Sequence, residues 1–294
     1  MTIKNANDEE FTDVDWIPTG VSKLDSYLGG GIPTKRISEF SGLAGVGKSS
    51  LSLQLVATAQ SKGFKTLWAD QEWTFEPTFA EKLGVNTKKL AMVRERFAEA
   101  ALDEIEKWAE ENKDAVIVLD AVGALHPREE AEKDASSKMI GGQARLVARF
   151  CRKMVPIIGE NNIALIFINH EFTDVMSGAV KTSGGAKLAY HKSVAIRLKK
   201  AYGKQVTRNG EHIATATVIE AEITKNKLKG TQGAKVELIL MAGEGFSKSH
   251  DQIQEELDSG RITKDGNTYF RDGEKLGVGR EKAVAALKEI PQGK

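Results

Sequence analysis

The residues whose types and spacing most directly promise chemistry are Gly42, Gly47, Lys48 and Ser49. They fit G-x-x-x-x-G-K-[ST] within "SGLAGVGKSS" (41–50). Glycines let a backbone turn tightly enough for successive N–H groups to point inward at a phosphate. The run Gly42, Leu43, Ala44, Gly45, Val46, Gly47, Lys48, Ser49 and Ser50 is therefore the candidate nucleotide cradle. Lys48 would bring positive charge to the β/γ oxygens, and Ser49 a hydroxyl ligand for Mg²⁺. Hydrolysis also needs an acid for the metal and a group that orients water. Asp120 ends the apolar run "AVIVLD" (115–120), which puts a carboxylate at the C-terminal tip of a buried strand. Open α/β sheets bind ligands at that edge, so Asp120 is the candidate metal partner of Ser49. The strand "TLWADQE" (66–72) offers two acids, Asp70 and Glu72. Either can polarise an attacking water, and spacing alone does not separate them.

A phosphate loop needs a strand before it and a helix after it. "KRISEF" (35–40) alternates as a strand, and "SSLSLQLVATAQSKG" (49–63) has helical spacing with Gly63 as its stop. Beyond it, "KTLWAD" (65–70), "AVIVLD" and "NIALIFIN" (162–169) read as strands. "EPTFAEKLG" (76–84), "LDEIEKWAEEN" (102–112) and "GGQARLVARFCRKMVPIIGE" (141–160) read as helices. Alternating β and α with apolar strands implies a mainly parallel sheet covered on both faces. "KSVAIRL" (192–198), "ATVIEAEIT" (216–224) and "AKVELILM" (234–241) follow without intervening helices, so antiparallel strands are expected at one edge. Composition then changes near Gly243. "SHDQIQEELDSG" (249–260) is helical, "TYFRDGEKLGVG" (268–279) reads as a hairpin turning at Asp272–Gly273, and "REKAVAALKEI" (280–290) as a last helix. The expected organisation is a short N-terminal arm at 1–18, an ATPase core at 19–245 and a small α/β domain at 246–294.

The formal net charge of +1 leaves nucleic-acid binding to local patches and not to a global field. Cys151 is the only cysteine, which excludes an intramolecular disulfide, and its helical context reads as a packed thiol. No apolar run reaches membrane-spanning length and "MTIKNANDEE" lacks a secretory apolar stretch, so a soluble, cytoplasmic protein is expected.

The phosphate loop, "TGVSKLDSYLGGGIP" (19–33), "DQEWTFEPTFAEKLG" (70–84), "VIVLDAVGAL" (116–125) and "LIFINH" (165–170) fall in a telling order. "TSGGAKLAYHKSVAIRL" (182–198), "TKNKLKG" (224–230) and "ITKDGNTYFRDGEKLGVGREKAVAALKE" (262–289) continue it. Together they resemble the RecA family of DNA strand-exchange ATPases from about Thr19 nearly to the end, including a small C-terminal domain. The resemblance implies a RecA-type core that uses ATP and Mg²⁺, with Glu72 as the water-orienting residue. It implies that Phe79 stacks on adenine and that Glu76 lies near its amino group. Asn169 and His170 end a buried strand where the family usually has Gln at the second position. His170 resembles phage recombinases of the UvsX type, and a neutral imidazole can still donate a hydrogen bond to a γ-phosphate. Lys225 and Lys227, two apart on an extended segment, are implied to reach the phosphates of a neighbouring subunit. The active site is then completed only between copies of the chain.

Two segments are candidate DNA contacts. In the first, leading into the helix at 142–159, the resemblance implies that Ile140 wedges between bases beside Gly141. Arg145, Arg149 and Arg152 follow at i, i+4 and i+7, one stripe of a helix. The second is the long link "EFTDVMSGAVKTSGG" (171–185), with Thr182, Ser183, Gly184 and Gly185 at its end. Its Glu171 and Asp174 against Lys181 make it weakly basic, so DNA binding rests on the resemblance more than on charge. The implied partners are single-stranded DNA, homologous duplex DNA and further copies of the chain in a helical filament. Readings of the same core as a helicase-like motor or loader, or as an ATP-binding regulator, are opposed by "TSGG", the C-terminal stretch and intact Lys48, Glu72 and Asp120. Residues 10–17 read either as a reduced arm that docks on a neighbour through Phe11, or as a terminus whose Trp16 packs on its own core.

Overall fold

A computed structural model of the chain describes residues 14–131, 141–173, 180–208, 211–248, 253, 256–257 and 259–289. In chain order the elements begin with β1 (Trp16–Ile17), α1 (Ser22–Leu28), β2 (Ile32–Pro33), β3 (Arg36–Gly42), α2 (Lys48–Ser61) and β4 (Lys65–Asp70). Next come α3 (Pro77–Lys82), β5 (Leu90–Val93), α4 (Ala98–Glu111), β6 (Ala115–Asp120), α5 (Arg128–Ala131), α6 (Gly142–Glu160) and β7 (Ile163–Thr173). Then follow β8 (Val180–Thr182), α7 (Gly185–His191), β9 (Lys192–Arg208), β10 (Glu211–Asn226), β11 (Lys235–Met241) and β12 (Gly245–Phe246). A small unit closes the chain with β13 (Ile262–Asp265), β14 (Thr268–Arg271), β15 (Glu274–Val278) and α8 (Arg280–Glu289).

The main sheet runs β12-β11-β10-β9-β3-β7-β6-β4-β5. It is parallel from β9 to β5 and antiparallel from β9 to β12, which is the expected mixed sheet with its antiparallel edge. Strand alternation divides the core into two layers. Phe40, Trp68, Val116, Val118, Ile166 and Ile168 point to one face, where Leu51, Leu55 and Val56 of α2 cover them. Ile37, Leu67, Ile117, Leu119, Leu165 and Phe167 point to the other, under Leu102 and Ile105 of α4 and Phe150, Cys151 and Met154 of α6. Strands buried on both sides must be apolar throughout, which is why "AVIVLD" and "IALIFI" carry no alternation. No described helix is long and apolar enough to cross a membrane.

Several details depart from the sequence reading. β7 continues past Asn169 to Thr173 and pairs antiparallel with β8, Glu171 facing Thr182 and Thr173 facing Val180. The flanks of the long link are thus a hairpin and not irregular chain, because backbone groups leaving a sheet edge find partners most cheaply in each other. The helix α7 after Gly184, the strand β5 and the extension of β9 and β10 into a long hairpin were not foreseen. The boundary expected between residues 245 and 246 falls inside β12, and Phe246 belongs to the main core. Gln54 holds that strand, donating to the Phe246 carbonyl at 2.9 Å and accepting its N–H at 2.8 Å. β13, β14 and β15 form a separate sheet whose core includes Ile253, Ile262, Tyr269, Ala283, Val284 and Leu287. Its turn at Asp272 (φ 53°) and Gly273 (φ 83°) is the left-handed pair a tight hairpin requires.

Trp16 and Ile17 pair with Pro33 and Ile32 of their own chain, and Ile17 is fully buried. Lys229 lies over the Trp16 ring at 5.3 Å. That end of the arm therefore packs on its own core. Phe11 lies outside the described residues.

Candidate active site

Parallel strands aim their C-terminal ends at one edge, and the candidate residues collect there in sheet order. The phosphate loop follows β3, His170 lies on β7, Asp120 ends β6, and Asp70 ends β4 with Glu72 just beyond it. The register sets Gly42 beside His170 and Asp70 beside Asp120. Leu43, Ala44 and Gly45 form the exposed crown of the loop, Val46 anchors it in the core, and Ser49 and Ser50 open α2. Gly47 begins that helix at φ 88°, and a Cβ there would stand 2.9 Å from the Phe246 ring. A helix start that follows a glycine-rich loop is a place where free N–H groups can meet an anion.

Lys48 is nearly buried, and its Nζ donates to the carbonyls of Gly42 at 3.0 Å and Leu43 at 2.8 Å. Burial lowers its pKa, opposed by the nearby charges of Asp120, Glu72 and Glu171. The same ammonium lies 3.3 Å from His170 Nδ1, while His170 Nε2 lies 2.6 Å from Glu72 Oε1. A charged lysine can only donate, so Nδ1 accepts and the proton sits on Nε2, donated to Glu72. Ser49 Oγ donates to Asp120 Oδ2 at 2.9 Å. The other oxygen, Asp120 Oδ1, is buried without a hydrogen-bond partner. Burial raises the Asp120 pKa to about 7 against the Ser49 hydrogen bond, and the charges of Glu72 and Asp70 add to the rise. A buried carboxylate with one idle oxygen beside a serine hydroxyl suits a hard divalent cation, which favours such oxygen donors.

The two acids at the tip of β4, Asp70 and Glu72, are placed differently. Asp70 is 1% exposed and fully engaged, accepting N–H groups from Thr74 and Phe75 and pairing with Arg94 Nη2 at 2.5 Å. Glu72 is partly open and faces the site through His170. Sequence reasoning missed Arg94, since nothing local marks an arginine after β5 as the partner of an acid 24 residues earlier.

Glu76 is the N-cap of α3. Its carboxylate accepts from Thr78 N–H at 3.2 Å and Phe79 N–H at 2.6 Å, and its pKa is lowered first by the Thr78 hydroxyl and then by the Phe79 N–H. Pro77 fits the first helical position, where its missing N–H is not needed. Phe79 packs partly buried against the main core.

Asn169, fully buried, points to the opposite side of β7 from His170. Its Nδ2 donates to Glu39 Oε1 at 3.0 Å and to the Ser183 carbonyl at 2.8 Å, and its Oδ1 accepts Ser183 N–H at 3.1 Å. Glu39 also pairs with Lys192. The end of the second candidate DNA segment, where Thr182 closes β8 and Gly184 caps α7 ahead of Gly185, is thereby tied to the strand that carries His170. Lys225 Nζ donates to the Ala189 carbonyl at 2.6 Å and Lys227 Nζ to that of Tyr190 at 3.4 Å. Both lysines thus cap the last turn of α7 within their own chain, a favourable place for cations.

On α6, Arg145, Arg149 and Arg152 are exposed, and Arg149 borders a groove with Glu99, Asp103 and Glu106. Gly141 caps this helix, and Gln143 donates to the carbonyls of Val122, Gly123 and Leu125 just after β6. Ile140 and Asp174 lie outside the described residues.

The family model described as the RecA N-terminal domain matches residues 1–247. The chain belongs to the RecA family. It is similar to Protein RecA of Bdellovibrio bacteriovorus, 34% identical over 98% of this chain and 76% of that protein. It is similar as well to Protein RecA of Deinococcus radiodurans, 36% identical over 97% of this chain and 78% of that protein. Against Protein RecA of Thermus aquaticus the identity is 35%, over 95% of this chain and 82% of the relative.

Proposed function

We propose that the protein is an ATP-dependent recombinase that coats single-stranded DNA as a filament and pairs it with homologous duplex. Family membership supports this over a motor or a regulator. The observation that carries the enzymatic part is the contact path from Lys48 through His170 to Glu72, beside the Ser49–Asp120 pair.

In this reading the loop N–H groups and Lys48 receive the ATP phosphates, and Lys48 exchanges its two carbonyl partners for phosphate oxygens. Ser49 and Asp120 would hold Mg²⁺, which supplies charge neutralisation at the phosphates. Glu72 orients the attacking water and accepts its proton. Glu72 accepts the His170 N–H. A γ-phosphate competes for that donor, so its arrival releases Glu72 for water. The strand that carries His170 also carries Asn169 and its hold on Ser183, which would tie the ATP state to the segment assigned to DNA. Ile140, Gly141, Arg145, Arg152 and residues 182–185 make up the DNA face. Lys225 and Lys227 act on the site of the next copy in the filament. Core residues up to about 247, the small C-terminal domain and a cytoplasmic location complete the assignment.

The test is ATP turnover at several protein concentrations, with and without single-stranded DNA, in wild type and His170→Ala. Wild type should be stimulated strongly, and the variant should bind ATP yet lose the stimulation. Turnover indifferent to DNA would remove the recombinase reading.

A further inference from the structure

The turn that carries Glu72 is organised by one buried carboxylate. Asp70 Oδ1 accepts the Thr74 N–H at 3.1 Å, and Oδ2 accepts the Phe75 N–H at 3.0 Å, so the chain curls back over the tip of β4. The third partner is Arg94, which follows β5 and reaches Oδ2 at 2.5 Å. The Arg94 guanidinium also lies over the Trp73 ring, 5.4 Å from its centroid. Trp73 is 59% exposed and has φ 60°, a left-handed conformation that a bulky residue keeps only when its surroundings hold it. On the other side of Glu72, the Gln71 N–H donates to the Asp120 carbonyl at 2.6 Å. Glu72 therefore stands between two pinned neighbours, one tied to β6 and one to the end of β5.

We infer that Arg94 is a positioning residue for Glu72, acting through Asp70 and Trp73 and touching no reacting atom. The inference rests on the reading of Glu72 as the water-orienting residue. Guanidinium is the group suited to this place, since its edge pairs with a carboxylate while its face stacks on an aromatic ring. Removing it leaves Asp70 buried without a counter-charge and Trp73 without its stack. The turn then loosens around the one side chain whose placement against water must be accurate. The nucleotide cradle, built on β3 and α2, is untouched.

The experiment uses the full chain with single-stranded DNA. Arg94→Ala should lower kcat on the order of 10–100-fold, the loss expected when a reacting group drifts by about an ångström. KM for ATP should stay close to wild type, while the melting temperature should fall, because Asp70 is left without its counter-charge. Millimolar guanidinium should restore part of the kcat of Arg94→Ala and do nothing for wild type or Glu72→Gln. Trp73→Gly provides a second arm. It relieves the left-handed backbone at a surface position, so the variant folds, and it should still lose kcat at unchanged KM. Wild-type kcat in both variants would overturn the inference. So would losses that track nucleotide affinity and ignore guanidinium. Glu72→Gln separates the levels: if it turns over ATP like wild type, the reading of Glu72 itself fails, whatever Arg94 does.

Discussion

Asp120→Asn should make the nucleotide-free protein more stable at alkaline pH while abolishing hydrolysis. The side chain is 4% exposed and one of its oxygens has no partner. Its pKa is raised from an ordinary 3.8 to about 7, chiefly by burial. A carboxylate whose folded pKa is raised keeps its proton in the folded state after the unfolded chain has lost it. The resulting penalty is absent below pH 3.8, grows as pH rises toward 7 and is complete above it. The shift of roughly three units corresponds to about 4 kcal/mol at full ionisation, of which about 3 kcal/mol develops between about pH 5 and pH 8. Asn keeps an acceptor for Ser49 and carries no charge, though its amide gains no evident partner, a constant cost of about 1–3 kcal/mol. Constant terms cancel in the pH dependence, which is the quantity to measure. Denaturant unfolding of wild type and variant from pH 5 to pH 8 should show the variant gaining about 3 kcal/mol relative to wild type. Mg²⁺ with a non-hydrolysable ATP analogue should stabilise wild type more at pH 8 than at pH 6, because protons compete for Asp120, and should lose this pH dependence in the variant. A stability difference that is flat with pH would refute the argument, since it would mean that Asp120 ionises freely in the folded protein.

Two further outcomes can be measured. If Lys225 and Lys227 act on the next copy as proposed, mixing Lys48→Ala chains with Lys225→Ala/Lys227→Ala chains should restore partial ATP turnover, since some interfaces would join an intact loop to intact lysines; no recovery in a mixture shown to co-assemble would mean that each site is complete within one chain. Cys151 is fully buried and its thiol is pushed up to about 12 by that burial, so a thiol reagent at neutral pH should label it only as fast as the protein unfolds, and rapid labelling of the folded chain would contradict the packing of α6.

The sequence alone determined what is encoded locally. Glycine spacing fixed the turn of the phosphate loop, and unbroken apolar runs marked strands covered on both faces. The position of Asp120 at the end of "AVIVLD" brought it to the ligand edge of the sheet. An Asp-Gly pair between alternating residues gave the hairpin at 272–273. Each of these depends on neighbours in the chain, so it can be read without the fold. Tertiary structure decided which side chains meet. Lys48 and His170 are 122 residues apart, and His170 and Glu72 are 98 apart, yet strand order makes them adjacent. The same order gave Asp70 to Arg94 and left Glu72 facing the site. It also turned Lys225 and Lys227 onto the end of α7, a helix that "GAKLAYH" alone did not announce. Periodicity says which face of an element is buried. It carries no record of which distant element will cover that face, because the pairing is selected by the packing of the whole sheet.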